Sequence, residues 1–372
     1  MKEKFNFWDT INYDNSRKVL VIPNITNPKE IEKDSFIDVI ELHIKELSKL
    51  GNYYFHIILP KPVAKLNLPN VKMHIVDISE NIIHMRTEFP SEIRLLIRYL
   101  DYDVVYNHLP DWFQIKKLTR KPIIGYGHWF ELSSCMQIGL YNKMLNLPIE
   151  LISILNMEKC FLNTWHQKNE IIKEAKVWFN DDIIKSLDDK LTVWNLGVDK
   201  NNIVDKPIEK KNIIVFNHRC IDNKGWNRFL SLMKKYRKKR EDFIVWAPQL
   251  EESKISWIKN TKLNKKDYYK KLQECKVGVQ MTQTHYGWSI AATDCMMNGT
   301  SMLFEEQDCY REINENADFF TNKEELFDLL DKYLDDDEYR LEKDLISISR
   351  CHQLNENNNK KINNLHKLLN YE

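Results

Sequence analysis

Phe216-Asn217-His218-Arg219-Cys220-Ile221-Asp222-Asn223-Lys224-Gly225-Trp226 continues the apolar run that starts at Ile213 and leads into a segment with helical spacing. The stretch reads as a strand that ends, a short polar loop, and a helix entered through Gly225. A strand, a short connection and a helix form the unit of a doubly wound parallel sheet, whose ligands meet the carboxyl ends of the strands. Arg219 and Lys224 stand five residues apart in the loop. An arginine fork and a lysine point charge at such a turn suit a diphosphate, above all one that gains charge as it departs. The same pair also reads as two solvent-exposed cations in an ordinary loop.

The alternation extends in both directions. Downstream, strands are expected at Phe243 to Trp246, Lys276 to Gln280 and Ser301 to Phe304, with helices beginning near Trp226, Asp267 and Ser289. Upstream, the polar stretch Asp199 to Lys211, with Pro207 inside it, reads as a linker. Before it the pattern runs again, with strands at Val19 to Ile22, Tyr54 to Leu59, Val71 to Val76, Val104 to Tyr106, Ile123 to Gly125, Cys160 to Leu162 and Leu191 to Val193. Ser35 to Leu50 reads as an amphipathic helix through Phe36, Ile40, Ile44, Leu47 and Leu50, with Ser35 and Asp38 as a capping box and Gly51 where it stops. Two such series imply an α/β protein of two Rossmann-like, doubly wound parallel-sheet domains, with the cleft between them as the default active site.

A second polar segment, Thr284-His285-Tyr286-Gly287-Trp288-Ser289-Ile290-Ala291-Ala292-Thr293-Asp294, follows the strand ending at Gln280. Small residues enter a helix there, and backbone amides at a helix start receive hydroxyl or phosphate oxygens. Asp294 suits a ribose diol; it reads equally as a helix-surface carboxylate.

The 372 residues suffice for about two domains, and 43% hydrophobic with 29% charged residues excludes disorder as the main state. Lys and Arg number 55 against 54 Asp and Glu, so the overall field does not call for a polyanionic partner. Seven scattered cysteines with no Cys-x-x-Cys pair suggest neither a disulfide framework nor a zinc site. The absence of a spanning run or an apolar leader sets the expectation of a cytoplasmic protein with no integral membrane association. Lys234 to Arg240 reads as the solvated end of a helix or as a phosphate-binding stripe.

Taken together, the two polar segments resemble the donor domain of family 4 retaining glycosyltransferases of GT-B fold. In that family a Gly-Arg-x(4)-Lys-Gly loop precedes a helix, and a Glu-Gly-Phe-Gly-x(4)-Glu segment follows later. Arg219, Lys224 and Gly225 match the first, and Gly287, Asp294 and, where the family segment continues into Ala-x-x-x-Gly, Gly299 match the second in part. Trp194 to Asp199 looks like the family's hinge, and Ile123 to His128 like its strand ending in a histidine. Tyr286 stands where the family has its first glutamate, Asp294 is shorter than its second, and the glycine-rich loop after the first strand is replaced by Pro23 to Pro28.

The resemblance implies an acceptor-binding domain over 1–198, a nucleotide-sugar-binding domain over 199–345, and a carboxyl-terminal helix, 346–372, returning to the first domain. It implies a retaining, metal-independent glycosyltransferase with no cofactor beyond a nucleotide-sugar co-substrate, a UDP-sugar by family default. Arg219 and Lys224 would neutralise the departing diphosphate, and His128 would sit near the reacting sugar, unless it is a satisfied strand-end histidine. Asn217, Gly225, Thr284, His285, Tyr286, Gly287, Trp288 and Asp294 would hold the donor, and Trp129 and Glu131 the acceptor. The Tyr286 to Asp294 run also looks like segments of compact viral enzymes that decorate DNA bases. The leading specific acceptor is therefore a 5-hydroxymethylpyrimidine in duplex DNA, with Lys116-Lys117, Arg120-Lys121 and Lys234 to Arg240 on phosphates and Trp112, Phe113, Trp129 and Phe130 around an extruded base. The alternatives are a soluble saccharide, metabolite or protein acceptor, a non-catalytic sugar-nucleotide or nucleic-acid binding module, and a nucleotide-sugar 2-epimerase.

Overall fold

The computed structural model describes residues 15–23, 35–60, 66, 68–76, 91–108, 114–128, 130, 140–282 and 287–371. In the amino-terminal half, strands β1 (Arg17–Ile22), β2 (Tyr53–Pro60), β3 (Val71–Val76), β4 (Val104–Asn107), β5 (Ile123–Gly127), β6 (Lys159–Leu162) and β7 (Leu191–Val193) form one sheet in the order β3-β2-β1-β4-β5-β6-β7. Helices α1 (Ser35–Leu50), α2 (Ser91–Tyr99), α3 (Ile115–Leu118), α4 (Leu140–Leu155), α5 (Trp165–Ala175) and α6 (Asp181–Lys190) connect them. Val19, Leu20 and Val21 are fully buried, and Ile37, Ile40, Ile44 and Leu47 of α1 turn inward, which is why the strand reads as a continuous apolar run and the helix as a stripe. Leu50 departs from that stripe: it is 40% exposed at the end of its helix. Gly51 is needed less for the helix stop than for a close approach, since a Cβ there would lie 3.1 Å from the His366 ring.

The second sheet begins after the expected linker, which holds a short 3-10 turn at Lys200–Asn202. Strands β8 (Lys211–Val215), β9 (Ile244–Trp246), β10 (Ile258–Lys259), β11 (Cys275–Gln280), β12 (Met302–Glu305) and β13 (Asp318–Phe320) pair in parallel in the order β10-β9-β8-β11-β12-β13. Helices α7 (Trp226–Arg237), α8 (Lys265–Gln273), α9 (Ile290–Met297), α10 (Asp308–Ile313), α11 (Lys323–Asp335) and α12 (Asp337–Asn370) complete the chain. One core joins Phe216, Phe229, Met233 and Leu330, and a second joins Val215, Trp246, Cys295 and Phe304, so the sheet is covered on both faces. The edge strands β10, only Ile258–Lys259, and β13, which opens on the charged Asp318, do not show as apolar runs in the sequence.

By internal packing the chain divides into two compact units, one of residues up to Asn107 with Ile115–Ile124 and the end from Asn363, the other of His108–Gln114 and Gly125–Ile362. In the first, Arg17 Nε donates to the Leu369 carbonyl at 2.7 Å and the Tyr53 hydroxyl meets His366 Nδ1 at 2.7 Å. In the second, Trp194 Nε1 donates to Asn358 at 3.0 Å. The buried Lys210 ammonium donates to Cys275 O, Gly299 O and Thr300 Oγ1, and lies 3.6 Å from Asp344, fixing the chain as it enters β8. Among the described residues no helix is long and apolar enough to cross a membrane.

Candidate functional site

The chain leaves β8 through buried Val215 and Phe216, and Asn217 is the first polar side chain beyond them, 6% exposed. Its Nδ2 donates to the Ala291 carbonyl at 2.6 Å and to the Tyr268 hydroxyl at 3.0 Å. A carbonyl only accepts, so this contact fixes which end of the amide is nitrogen. The Asn217 Oδ1 is buried and has no partner among the described residues. A buried acceptor left so is a place where a ligand's N–H or O–H is worth more than water's.

His218 Nε2 lies 2.5 Å from Gln280 Oε1 and 3.0 Å from Ser289 Oγ. The amide oxygen accepts, so Nε2 carries the hydrogen. Burial, with the cations of Lys224 and Arg219 beside it, pushes the imidazole down to about 3 despite the Gln280 bond, so it is neutral at physiological pH. Ser289 also receives the Ala292 amide at 3.1 Å as the cap of α9. One imidazole therefore ties the β8 loop to the end of β11 and the start of α9.

Arg219 is exposed and Lys224 half-buried in that loop. Burial and the neighbouring Arg219 guanidinium bring the Lys224 ammonium down to about 8. Gly225, at φ 76° and ψ 15°, makes the turn into α7, and a Cβ on it would sit 2.5 Å from Met281 Cβ. The loop is thus shaped by β11 beneath it and presents two cations that repel each other, an arrangement an anion relieves.

On the α9 side, Asp294 is half-buried and the Tyr268 hydroxyl donates to its Oδ2 at 3.4 Å. Asn217, Tyr268 and Asp294 therefore form a chain from β8 through α8 to α9. Trp288 is half-buried, and its Nε1 has no partner among the described residues. Just past the end of β11, Glu305 accepts from Thr282 N at 2.7 Å and from Thr282 Oγ1 at 2.6 Å while pairing with Arg228. Thr284, His285 and Tyr286 lie outside the described residues.

His128 directly follows the last residue of β5 and is 5% exposed. Its Nε2 lies 2.9 Å from His108 Nδ1, the two rings stack at 5.2 Å, and its carbonyl accepts from Asn163 Nδ2 at 2.7 Å. The Tyr126 hydroxyl in turn donates to Asn163 Oδ1 at 2.7 Å. A Cβ added to Gly287 would find the His128 carbonyl 3.8 Å away, so the two predicted positions are neighbours. Trp129 and Glu131 lie outside the described residues. Among the described residues no group of three or more His, Cys, Asp or Glu side chains is placed to hold a metal ion.

The structure thus gathers Asn217, Arg219, Lys224, Gly225 and Asp294 around one strand end and sets Gly287 beside His128. Sequence reasoning missed Tyr268, Gln280, Ser289 and His108, which hold those residues. The available signal for His108 was that the apolar runs of β4 and β5 both end in a polar segment containing histidine; Tyr268 carries none that separates it from a core aromatic.

No family model matches the chain, and no curated protein matches it. Solved structures do. The E. coli trehalose-6-phosphate structure with bound UDP-2-fluoro glucose superposes with a TM-score of 0.66 at 12% identity, covering 95% of this chain and 99% of that one. The chain has the GT-B fold. A trehalose-6-phosphate synthase studied for glycosyltransfer with retention matches with a TM-score of 0.65 at 12% identity over 93% and 98% of the two chains. The Anabaena protein HepE in complex with UDP and glucose matches at 0.66 and 12% over 94% and 99%.

Proposed function

We propose that the protein is a retaining glycosyltransferase that moves a sugar from a UDP-sugar to an acceptor hydroxyl. The observation that carries the proposal is the loop from Asn217 to Gly225, where Arg219 and a partly desolvated Lys224 share one turn at the carboxyl end of β8. Two cations there favour the charge that builds on a departing diphosphate, and they do so by position rather than by proton transfer. Asp294, held by Tyr268, supplies the acceptor for a ribose hydroxyl, and Asn217 Oδ1 a second. His128, beside Gly287, is the candidate for orienting or sharing the proton of a sugar hydroxyl. UDP as the donor's leaving group is supported by the bound UDP species in structures of this fold.

For the acceptor we favour a small hydroxylated sugar, in keeping with trehalose-6-phosphate synthase among the structures of this fold. Duplex DNA is disfavoured by the placement of the residues that would hold it. Phe130 is fully buried and offers no stacking face. In the basic run, Arg237 donates to the Phe243 carbonyl and Arg240 is held by Asp242, Asp331 and Asp335, so the run is chiefly a tethered helix end. Trp112, Phe113 and Trp129 lie outside the described residues.

The test is release of UDP from UDP-sugars offered with glucose, with glucose 6-phosphate, and with duplex DNA containing 5-hydroxymethylcytosine. Release that rises with a sugar acceptor, and falls by about 10²- to 10³-fold in Arg219→Ala and in Lys224→Ala, is the expected result. Near-normal turnover in both variants removes the diphosphate reading, and release driven only by DNA replaces the acceptor. Tight UDP binding with no release under any acceptor makes the chain a binding module.

A further inference from the structure

A groove of about 570 Å³ lies between the connector Asn201–Val204 and one face of α8, the helix that also carries Tyr268. Ile203, Val204 and Tyr269 give it an apolar floor, and Lys265, Lys266 and Lys270 line it with no acidic side chain among its lining residues. We infer that this groove is a second binding site, for a small phosphorylated ligand.

Three features carry the inference. Neither Lys266 nor Lys270 has a carboxylate partner among the described residues, although acidic groups near the same helix do pair elsewhere: Glu274 holds Lys271 and Lys211. Lys266 occupies the second position of α8, where the helix dipole disfavours a cation. That placement costs the free protein some stability, and an anion between the ammoniums reverses the cost. The apolar floor, in turn, gives the uncharged body of a ligand something to cover, which a bare cationic surface does not.

The size decides between small and large ligands. A cavity of several hundred Å³ is the scale of a metabolite site, and a nine-residue helix spans only about 13 Å, too short for more than a few phosphates of a duplex. No residue of the groove belongs to the Asn217 to Gly225 loop, so occupancy of one site does not preclude occupancy of the other.

The test is calorimetric titration of the full chain with inorganic pyrophosphate, glucose 6-phosphate and UMP, at fixed ionic strength. Three proteins are compared: the unaltered chain, Lys266→Gln/Lys270→Gln, and Arg219→Ala/Lys224→Ala. The expected result is saturable binding of at least one probe that weakens tenfold or more in Lys266→Gln/Lys270→Gln and persists in Arg219→Ala/Lys224→Ala. The three probes separate bare phosphate from a phosphosugar or a nucleotide as the preferred form. Binding lost only in Arg219→Ala/Lys224→Ala, binding unchanged in Lys266→Gln/Lys270→Gln, or no saturable binding of any probe overturns the inference. A melting temperature shared by all three proteins excludes misfolding as the cause of a loss.

Discussion

The amide of Asn217 donates to the hydroxyl of Tyr268 at 3.0 Å, and through it a residue at the end of β8 is joined to Asp294 on α9. Burial and the Asp294 carboxylate raise the Tyr268 phenol well above its ordinary range, so it is a neutral donor throughout the working pH range. Removing that hydroxyl leaves the ring packing in place and frees Asp294 to turn. Tyr268→Phe should weaken UDP binding by about three- to tenfold, the scale of one hydrogen bond of about 0.5 to 1.5 kcal/mol, with little change in melting temperature. Calorimetry with UDP checks it, and equal affinity would separate Asp294 from the ribose.

The lysine in the loop sets a pH dependence. Because its folded pKa is about 8 against an ordinary 10.5, Lys224 loses its charge as pH rises through 8 in the free protein. Affinity for a diphosphate should therefore fall above pH 8, and this fall should be absent in Lys224→Ala. For stability the sign is opposite. The cost of burying the ammonium is fully present below about pH 8 and is relieved as pH rises from 8 toward 10.5, where the unfolded chain holds more protons. Nucleotide titrations between pH 7 and 9.5 on both proteins measure the first effect.

What the sequence showed of this site, and what it did not, follows from range. The β8 run, the cations at a fixed spacing and Gly225 are local, so the loop was legible. Leu50 was misread because its spacing continues the stripe while its helix ends at the surface. Tyr268 and His108 act through contacts across separate elements, and no local period encodes such a pairing. Strands β10 and β13 were invisible for a simpler reason: β10 is the pair Ile258–Lys259 and β13 opens on the charged Asp318, so neither forms an apolar run.

Two glycines of the site should respond differently to the same substitution. Gly225→Ala places a methyl 2.5 Å from Met281 Cβ in a left-handed backbone, and both the contact and the conformation are unfavourable. It should lose about 1 to 3 kcal/mol of stability and bind UDP poorly. At Gly287 the nearest atom to an added Cβ among the described residues is 3.8 Å away, so Gly287→Ala should change stability by less than about 0.5 kcal/mol. Denaturant melts of the two variants give the comparison, and equal losses would mean that the turn at Gly225 is more yielding than its geometry indicates.

The buried histidines make a prediction that does not depend on the enzymatic reading. His56 Nδ1 lies 2.9 Å from His74 Nε2 on the paired strands β2 and β3, and His43 is fully buried on α1. Burial lowers His43 to about 3, and burial with nearby cations lowers His56 to about 4 and His74 to about 3, from an ordinary 6.5. Each is therefore neutral in the folded chain while the unfolded chain takes up a proton below pH 6.5. Stability should fall as pH drops through that value, by about 1 kcal/mol per histidine between pH 6.5 and 5.5, or about 4 kcal/mol once His218, lowered to about 3 in the same way, is counted with these three. Urea unfolding at the two pH values measures it. His74→Asn removes one titrating group and the repulsion that its protonation would impose on His56, so this variant should show a shallower fall than the unaltered chain. A stability that is level from pH 7.5 to 5.5 in the unaltered protein would show that these rings are protonated to the same degree folded and unfolded, and hence that the β2–β3 pair is open to water.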